Sequence, residues 1–169
     1  KDIHADYFTV SLFHIGSHYL TFNEDIFLCC RIRKEIEENG TSFVENATIK
    51  AKAIYDYIKN NKPEYKDAIV LADDSGLEID YYGGKPGVYS HRWLGDMTYP
   101  EKMQEVIDDM KDVAIKDRGA RFVCSMAAYD SNGELYTTRQ TVEGRVHTKI
   151  IGDNGFGYDP FFYVEEYGC

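Results

Sequence analysis

The stretch "AIVLADDSGLEI", residues 68–79, places the tightest condition on how this chain can fold. Ala68-Ile69-Val70-Leu71-Ala72 is a short apolar run that reads as a buried strand. Asp73 and Asp74 follow at once, and with Ser75-Gly76 they read as an acidic turn at the strand end. Leu77 and Ile79 then alternate with polar residues, as in a half-buried strand. Two like charges side by side at the end of a buried strand are costly unless a positive charge sits with them. Ligands of open α/β sheets gather beyond the carboxyl ends of strands. Paired carboxylates there suit magnesium, a hard cation that takes oxygen ligands and keeps several of its waters. Asp73 and Asp74 are therefore candidate metal ligands, and an Asx turn is the alternative reading. Glu37-Glu38 is the candidate for a further carboxylate, with a solvated acidic loop as its alternative.

The segment before the strand, "TSFVENATIKAKAIYDYIKN", reads as a helix. Ser42 followed three residues later by Glu45 is a capping box, which accounts for Glu45 without any metal. Phe43, Ala47, Ala51, Ile54 and Ile58 mark one apolar face. At about 100° per residue Lys50 falls inside that face and Lys52 falls off it. A lysine on an inward face snorkels to the rim, pairs with a buried carboxylate or holds an anion.

Downstream, "TYPEKMQEVIDDMKDV" is a second amphipathic helix capped at Thr98, with Met103, Val106, Ile107, Met110 and Val113 along one face. "ARFVCSMAAYD" reads as a strand, "DSNGE" as a hairpin turn around Asn132-Gly133, and "LYTTRQTVEGRV" as the partner strand. Helix, strands, helix, hairpin and glycine-rich loop in this order predict an α/β (mixed α+β) fold, a sheet flanked by helices. The 169 residues suit a single domain, 1–169, and the aromatic-rich residues 1–36 show no clear period. With 29 acidic and 19 basic residues the formal net charge is −10, which argues against a nucleic acid polymer as partner. No stretch approaches the roughly 20 apolar residues of a membrane span. Cys29, Cys30, Cys124 and Cys169 lack metal-ligand spacing and point to a reducing, cytoplasmic setting.

Two loops complete the candidates. In "GFGYDP", residues 155–160, Phe156 and Tyr158 could stack on a base and Asp159 could hydrogen-bond its edge, or the aromatics pack into the core. In "GGKPGVYSHRW", Lys85, His91 and Arg92 could face phosphates, or the segment is a plain surface loop.

Taken in order and spacing, "GTSFVENATIKAKA", "LADDSGLEID", "GGKPGVYSHRW", "ARFVC" and "GFGYDPFF" resemble the inosine triphosphate pyrophosphatase family, over about Glu37 to Gly168. The resemblance implies an elongated central mixed sheet flanked by helices, with two lobes and a cleft. It implies a cytoplasmic homodimer that uses magnesium to hydrolyse ITP, dITP and XTP to the monophosphate and pyrophosphate. It makes Asp74 the general base and a metal ligand, Glu38 the other metal-linked carboxylate, and Lys50 a triphosphate-binding lysine. Ser75 would contact substrate; Phe156, Gly157, Tyr158 and Asp159 would form the base-binding loop; His91 or Arg92 would face phosphate. The resemblance also implies an N-terminal T-G-N-x-x-K loop, for which "TFNEDIF" offers Thr21 and Asn23 but no lysine. A base-contacting S-H-R segment after "GFGYDPFF" is likewise expected and does not follow it here. Two other readings compete: a catalytically weak nucleotide-binding or dimerisation module, and a Maf-like pyrimidine nucleotide pyrophosphatase.

Overall fold

A computed structural model describes residues 11–13, 36–152 and 157–168. Its elements run β1 (Ser11–Phe13), α1 (Phe43–Asn61), β2 (Ile69–Ile79), β3 (Lys85–Pro86), α2 (Tyr99–Asp109), β4 (Gly119–Tyr129), β5 (Leu135–Val146) and β6 (Phe162–Tyr163), with short 3-10 turns between. The fold is mixed α+β, as the alternation of patterns predicts. The sheet order is β1-β2-β4-β5-β6, with β3 also on β2; β1–β2, β2–β3 and β5–β6 pair antiparallel. Among the described residues no helix is long and apolar enough to cross a membrane. The chain divides into two compact units, the described part of 1–74 with 125–139, and 75–124 with 140–168.

In the first unit, α1 starts at the predicted capping box. Ser42 Oγ accepts from the Glu45 amide at 3.2 Å, and Glu45 Oε2 accepts from the amides of Thr41 and Ser42 and the Thr41 hydroxyl. These bonds, the Thr41 hydroxyl first, hold the Glu45 carboxyl below the usual carboxylate range. The predicted apolar face is the buried one: Ile54 and Ile58 pack with Val70, and Ala47 and Ala51 with Ala127. The hairpin forms where "DSNGE" places it. Asp130 Oδ1 accepts from the amides of Asn132 and Glu134, and Gly133 takes the positive φ of +88° that the turn needs.

One expectation fails. The acidic dipeptide is no turn at a strand end, because β2 runs unbroken through it from Ile69 to Ile79. Asp, Ser and Gly are turn formers and poor strand residues, but neighbouring strands override that local preference. The strand's alternation separates the two carboxylates: Asp73 and Ser75 are exposed, while Asp74 is half-buried on the face that carries Val70 and Ala72. The acidic pair therefore lies in mid-strand, not beyond the carboxyl end of a strand.

In the second unit, Met103, Val106, Ile107 and Met110 of the α2 segment form a core with Leu77, Ile79, Ala120, Val146 and Phe161. Thr98 and Glu101 close a second capping box. Arg118, 1% exposed, gives the core an unusual edge. Its guanidinium donates to the carbonyls of Met110, Val113 and His147, and its own carbonyl accepts from the Val146 amide at 2.9 Å. Met110 caps α2, so the guanidinium adds a cationic donor at the negative end of the helix, where the Met110 carbonyl also accepts from the Val113 amide. Cys124 is exposed and free, and the other three cysteines lie outside the described residues.

Arg118→Met keeps the apolar bulk but takes the donor from the Val113 and His147 carbonyls and leaves the Met110 carbonyl with the Val113 amide alone. Loss of about 2–4 kcal/mol of stability is expected, read as a lower urea midpoint; an unchanged midpoint refutes the assigned role.

Candidate active site

The positive charge that Asp74 requires comes from α1. Lys50 is 6% exposed, and its Nζ lies 2.9 Å from Asp74 Oδ1 and 3.2 Å from Glu38 Oε2. One helical turn earlier, Asn46 is 1% exposed and donates through Nδ2 to Asp74 Oδ2 at 3.2 Å. Asn46 and Lys50 are four residues apart and so share one helix face. Each Asp74 oxygen thus has its own partner on the same helix. Asn46 also accepts through Oδ1 from the Gly40 amide at 2.9 Å, which fixes the loop that carries Glu38. A Cβ on Gly40 would lie 2.6 Å from Asn46 Oδ1 and 2.8 Å from Glu45 Cβ, so this position needs glycine for space. Of the readings open to Lys50, pairing with a buried carboxylate is the one observed.

Magnesium is the metal that the sequence implies, and the donor set fits it. Glu38 and Asp74 each direct one oxygen at a single cationic centre, now the lysine ammonium. Among the described residues no group of three or more His, Cys, Asp or Glu converges, so the protein offers carboxylates and no complete cage. That is the usual magnesium arrangement, in which one or two carboxylates are completed by water and substrate phosphates. Asp73 and Ser75 flank Asp74 on the exposed face of β2.

The remaining candidates lie in the second unit. His91 and Arg92 are exposed, and the Arg92 guanidinium sits 4.8 Å from the Tyr89 ring centre. Gly157 has φ +59° and Asp159 is exposed, while Phe156 lies outside the described residues. Tyr158 departs from its expected part as a base-stacking residue. It is 3% exposed, its ring packs against Phe161 and edge-on against Tyr99, and its hydroxyl donates to the Ser90 carbonyl at 3.0 Å. Burial, followed by the neighbouring Tyr99, pushes its phenol well above the ordinary range and keeps it a donor. A cavity of about 650 Å³ is lined by Ile115, Lys116, Glu143, Arg145 and Glu165, among others, and by none of the predicted site residues that are described.

Three further residues position these loops. Asn46 had a signal, a polar side chain one turn before Lys50 on the inward face. Ser90 and Lys102 had none, because their partners are backbone atoms. Ser90 Oγ accepts from the Leu77 amide at 2.9 Å and donates to the Gly87 carbonyl at 2.6 Å. Lys102, 3% exposed, donates to the His91 carbonyl at 2.8 Å and lies over the Tyr99 ring.

A helix lysine bridging a loop carboxylate and a mid-strand carboxylate marks this α+β domain: two acids and one cation meet at a single point. The sequence profile of the Ham1 family matches residues 18–169, and the chain belongs to that family. It is 42% identical over 134 residues to a dITP/XTP pyrophosphatase of Oceanobacillus iheyensis, covering 79% of this chain and 64% of that protein. It is 41% identical over 137 residues to a dITP/XTP pyrophosphatase of Bacillus anthracis, covering 79% and 64%. Among solved structures, the Staphylococcus aureus Ham1 protein matches with a TM-score of 0.69 at 33% identity, covering 80% of this chain and 66% of that one. A HAM1 protein from Coxiella burnetii matches with a TM-score of 0.66 at 37% identity, again covering 80% and 66%. The chain thus spans a little under two thirds of the length of these pyrophosphatase relatives.

Replacing Asn46 tests how the site is held. Asn46→Ala strands the Gly40 amide and one Asp74 oxygen, and should cost about 1–3 kcal/mol. Asn46→Asp sets a second carboxylate against Asp74 and should cost more at neutral pH. The gap between the two variants should narrow as pH falls and a proton comes to be shared between the two carboxyls; equal stability at every pH excludes the contact.

Proposed function

We propose that this protein is a magnesium-dependent nucleoside triphosphate pyrophosphohydrolase. Its substrates are deaminated purine nucleotides, ITP, dITP and XTP, which it converts to the monophosphate and pyrophosphate. The observation that carries the proposal is the Glu38–Lys50–Asp74 cluster, with Asp74 fixed by Asn46. The substrate class rests on membership of the Ham1 family and on relatives named dITP/XTP pyrophosphatase.

Glu38 and Asp74 would hold the divalent cation, with Asp73 at hand; when bound, the cation neutralises triphosphate charge and lowers the pKa of water. Asp74 is the general base. Its carboxylate has lone pairs beyond the one engaged by Asn46, and one takes a proton from the attacking water. The water oxygen bonds to the α-phosphorus, and the bond to the α,β-bridging oxygen breaks. Pyrophosphate carries away the electron pair, and Lys50 stabilises the charge that develops on it. In the second unit, Arg92 supplies a phosphate-facing cation, with His91 beside it. Phe156, Gly157 and Asp159 meet the base, and Ser75 contacts substrate from β2. Tyr158 serves from behind, holding the Ser90 carbonyl. The reading includes a cytoplasmic homodimer, in line with the free Cys124 and the family resemblance.

The test is pyrophosphate release from ITP, dITP, XTP and ATP, with magnesium or with a chelator. Release is expected from the first three only, and only with magnesium. Asp74→Asn should lower it by roughly 100- to 10,000-fold while leaving the fold intact by circular dichroism. Full activity in that variant removes Asp74 from the mechanism. Equal turnover of ATP overturns the substrate class.

A further inference from the structure

We infer that the Lys50 ammonium and a divalent cation are alternative occupants of one position between Glu38 and Asp74, so that metal loading and lysine release are a single event. The inference rests on the metal-dependent reading above and adds to it a rule for when Lys50 becomes available to an anion.

The same ammonium takes both Asp74 Oδ1 at 2.9 Å and Glu38 Oε2 at 3.2 Å. The side chains are 8% exposed for Lys50, 13% for Asp74 and 25% for Glu38. Solvent therefore screens the cluster poorly, and a second cation at the same oxygens would be strongly repelled by the first. The pair of oxygens can serve the lysine or the metal, and not both. Charge balance points the same way. Two carboxylates and one ammonium carry −1, whereas a dication in place of the ammonium leaves the carboxylates neutralised and the ammonium to be matched elsewhere. Lysine can make that move, because its charge is a compact point on a flexible four-carbon stem. Asp74 need not turn during the exchange, since Asn46 keeps its other oxygen.

Two consequences follow. Without metal, the lysine that stabilises phosphate charge is engaged with the acids and is held back. The lysine in turn weakens the affinity of the acids for metal, since the metal must displace it.

Direct binding of Mn2+ to the nucleotide-free protein, followed by calorimetry and by the electron paramagnetic resonance of free Mn2+, tests the exchange. Lys50→Met should bind Mn2+ at least 10-fold more tightly than the parent protein. Lys50→Arg, which retains the charge, should bind no more tightly than the parent. Adding Glu38→Gln to Lys50→Met should abolish the gain. Equal or weaker binding by folded Lys50→Met overturns the inference, as does the absence of Mn2+ binding to both proteins at millimolar concentration. If Lys50→Met does not fold, the parent protein supplies the second measurement. With 13C-labelled lysine, the Lys50 ε-methylene resonance, identified by its loss in Lys50→Arg, should move as Mg2+ is titrated in; a resonance unchanged at saturating Mg2+ overturns the inference. Neither measurement uses catalysis, so failure of the enzymatic reading would show separately, as absent pyrophosphate release.

Discussion

The ammonium of Lys50, held between Asp74 and Glu38, is the contact on which the first unit's arrangement turns. Its reach requires α1 to lie close to β2, and the alanines make that possible. Ala47 and Ala51 of α1 are fully buried against Ala127 of β4, with Ala72 of β2 packed beside them, so no bulk holds helix and sheet apart. A larger side chain there would move the helix outward and lengthen the ion pair. Asn46 and Gly40 then bring the Glu38 loop to the same point, one through its amide group and the other by having no side chain. A buried ion pair adds little net stability by itself, but breaking one half of it is expensive. The cluster therefore adds little to the stability of the fold while making the loss of either partner costly.

Much of this was readable from the residues. The α1 face from Phe43 to Ile58, the α2 stripe and the Asn132-Gly133 hairpin follow from period and turn chemistry, which are local. Lys50 was readable as inward because it lies at a defined angle on that face. What period cannot supply is the partner. The strand status of Asp73-Asp74 is decided by neighbouring strands against the preference of the residues themselves. The identity of the positive charge beside Asp74 depends on bringing residues 38, 50 and 74 together. Ser90, Lys102 and Arg118 escaped for a related reason: each serves backbone carbonyls or amides, which carry no side-chain signature in a sequence.

The second unit treats its loops differently from the first. Where the first gathers charge, the second fixes backbone. The adjacent carbonyls of Ser90 and His91 accept from Tyr158 and Lys102, both buried donors. The exposed side chains of His91 and Arg92 are thus mounted on a backbone that has little freedom. Tyr158 shows how one residue type can be read two ways. Its aromatic character between glycines suggests a surface for stacking, yet its ring completes the packing of Phe161 and Tyr99 while its hydroxyl does the positioning.

Arg118 gives the second unit a further property. Its one guanidinium joins the end of α2, the Val113 segment and the residue after β5 through Met110, Val113 and His147. None of these can separate without stranding a buried charge and the carbonyls it serves. The end of α2 therefore cannot fray by itself, as helix termini ordinarily do. In hydrogen exchange, the amides of the last turn of α2 and those around His147 belong to one opening event, and they should report a common protection instead of a gradient along the helix.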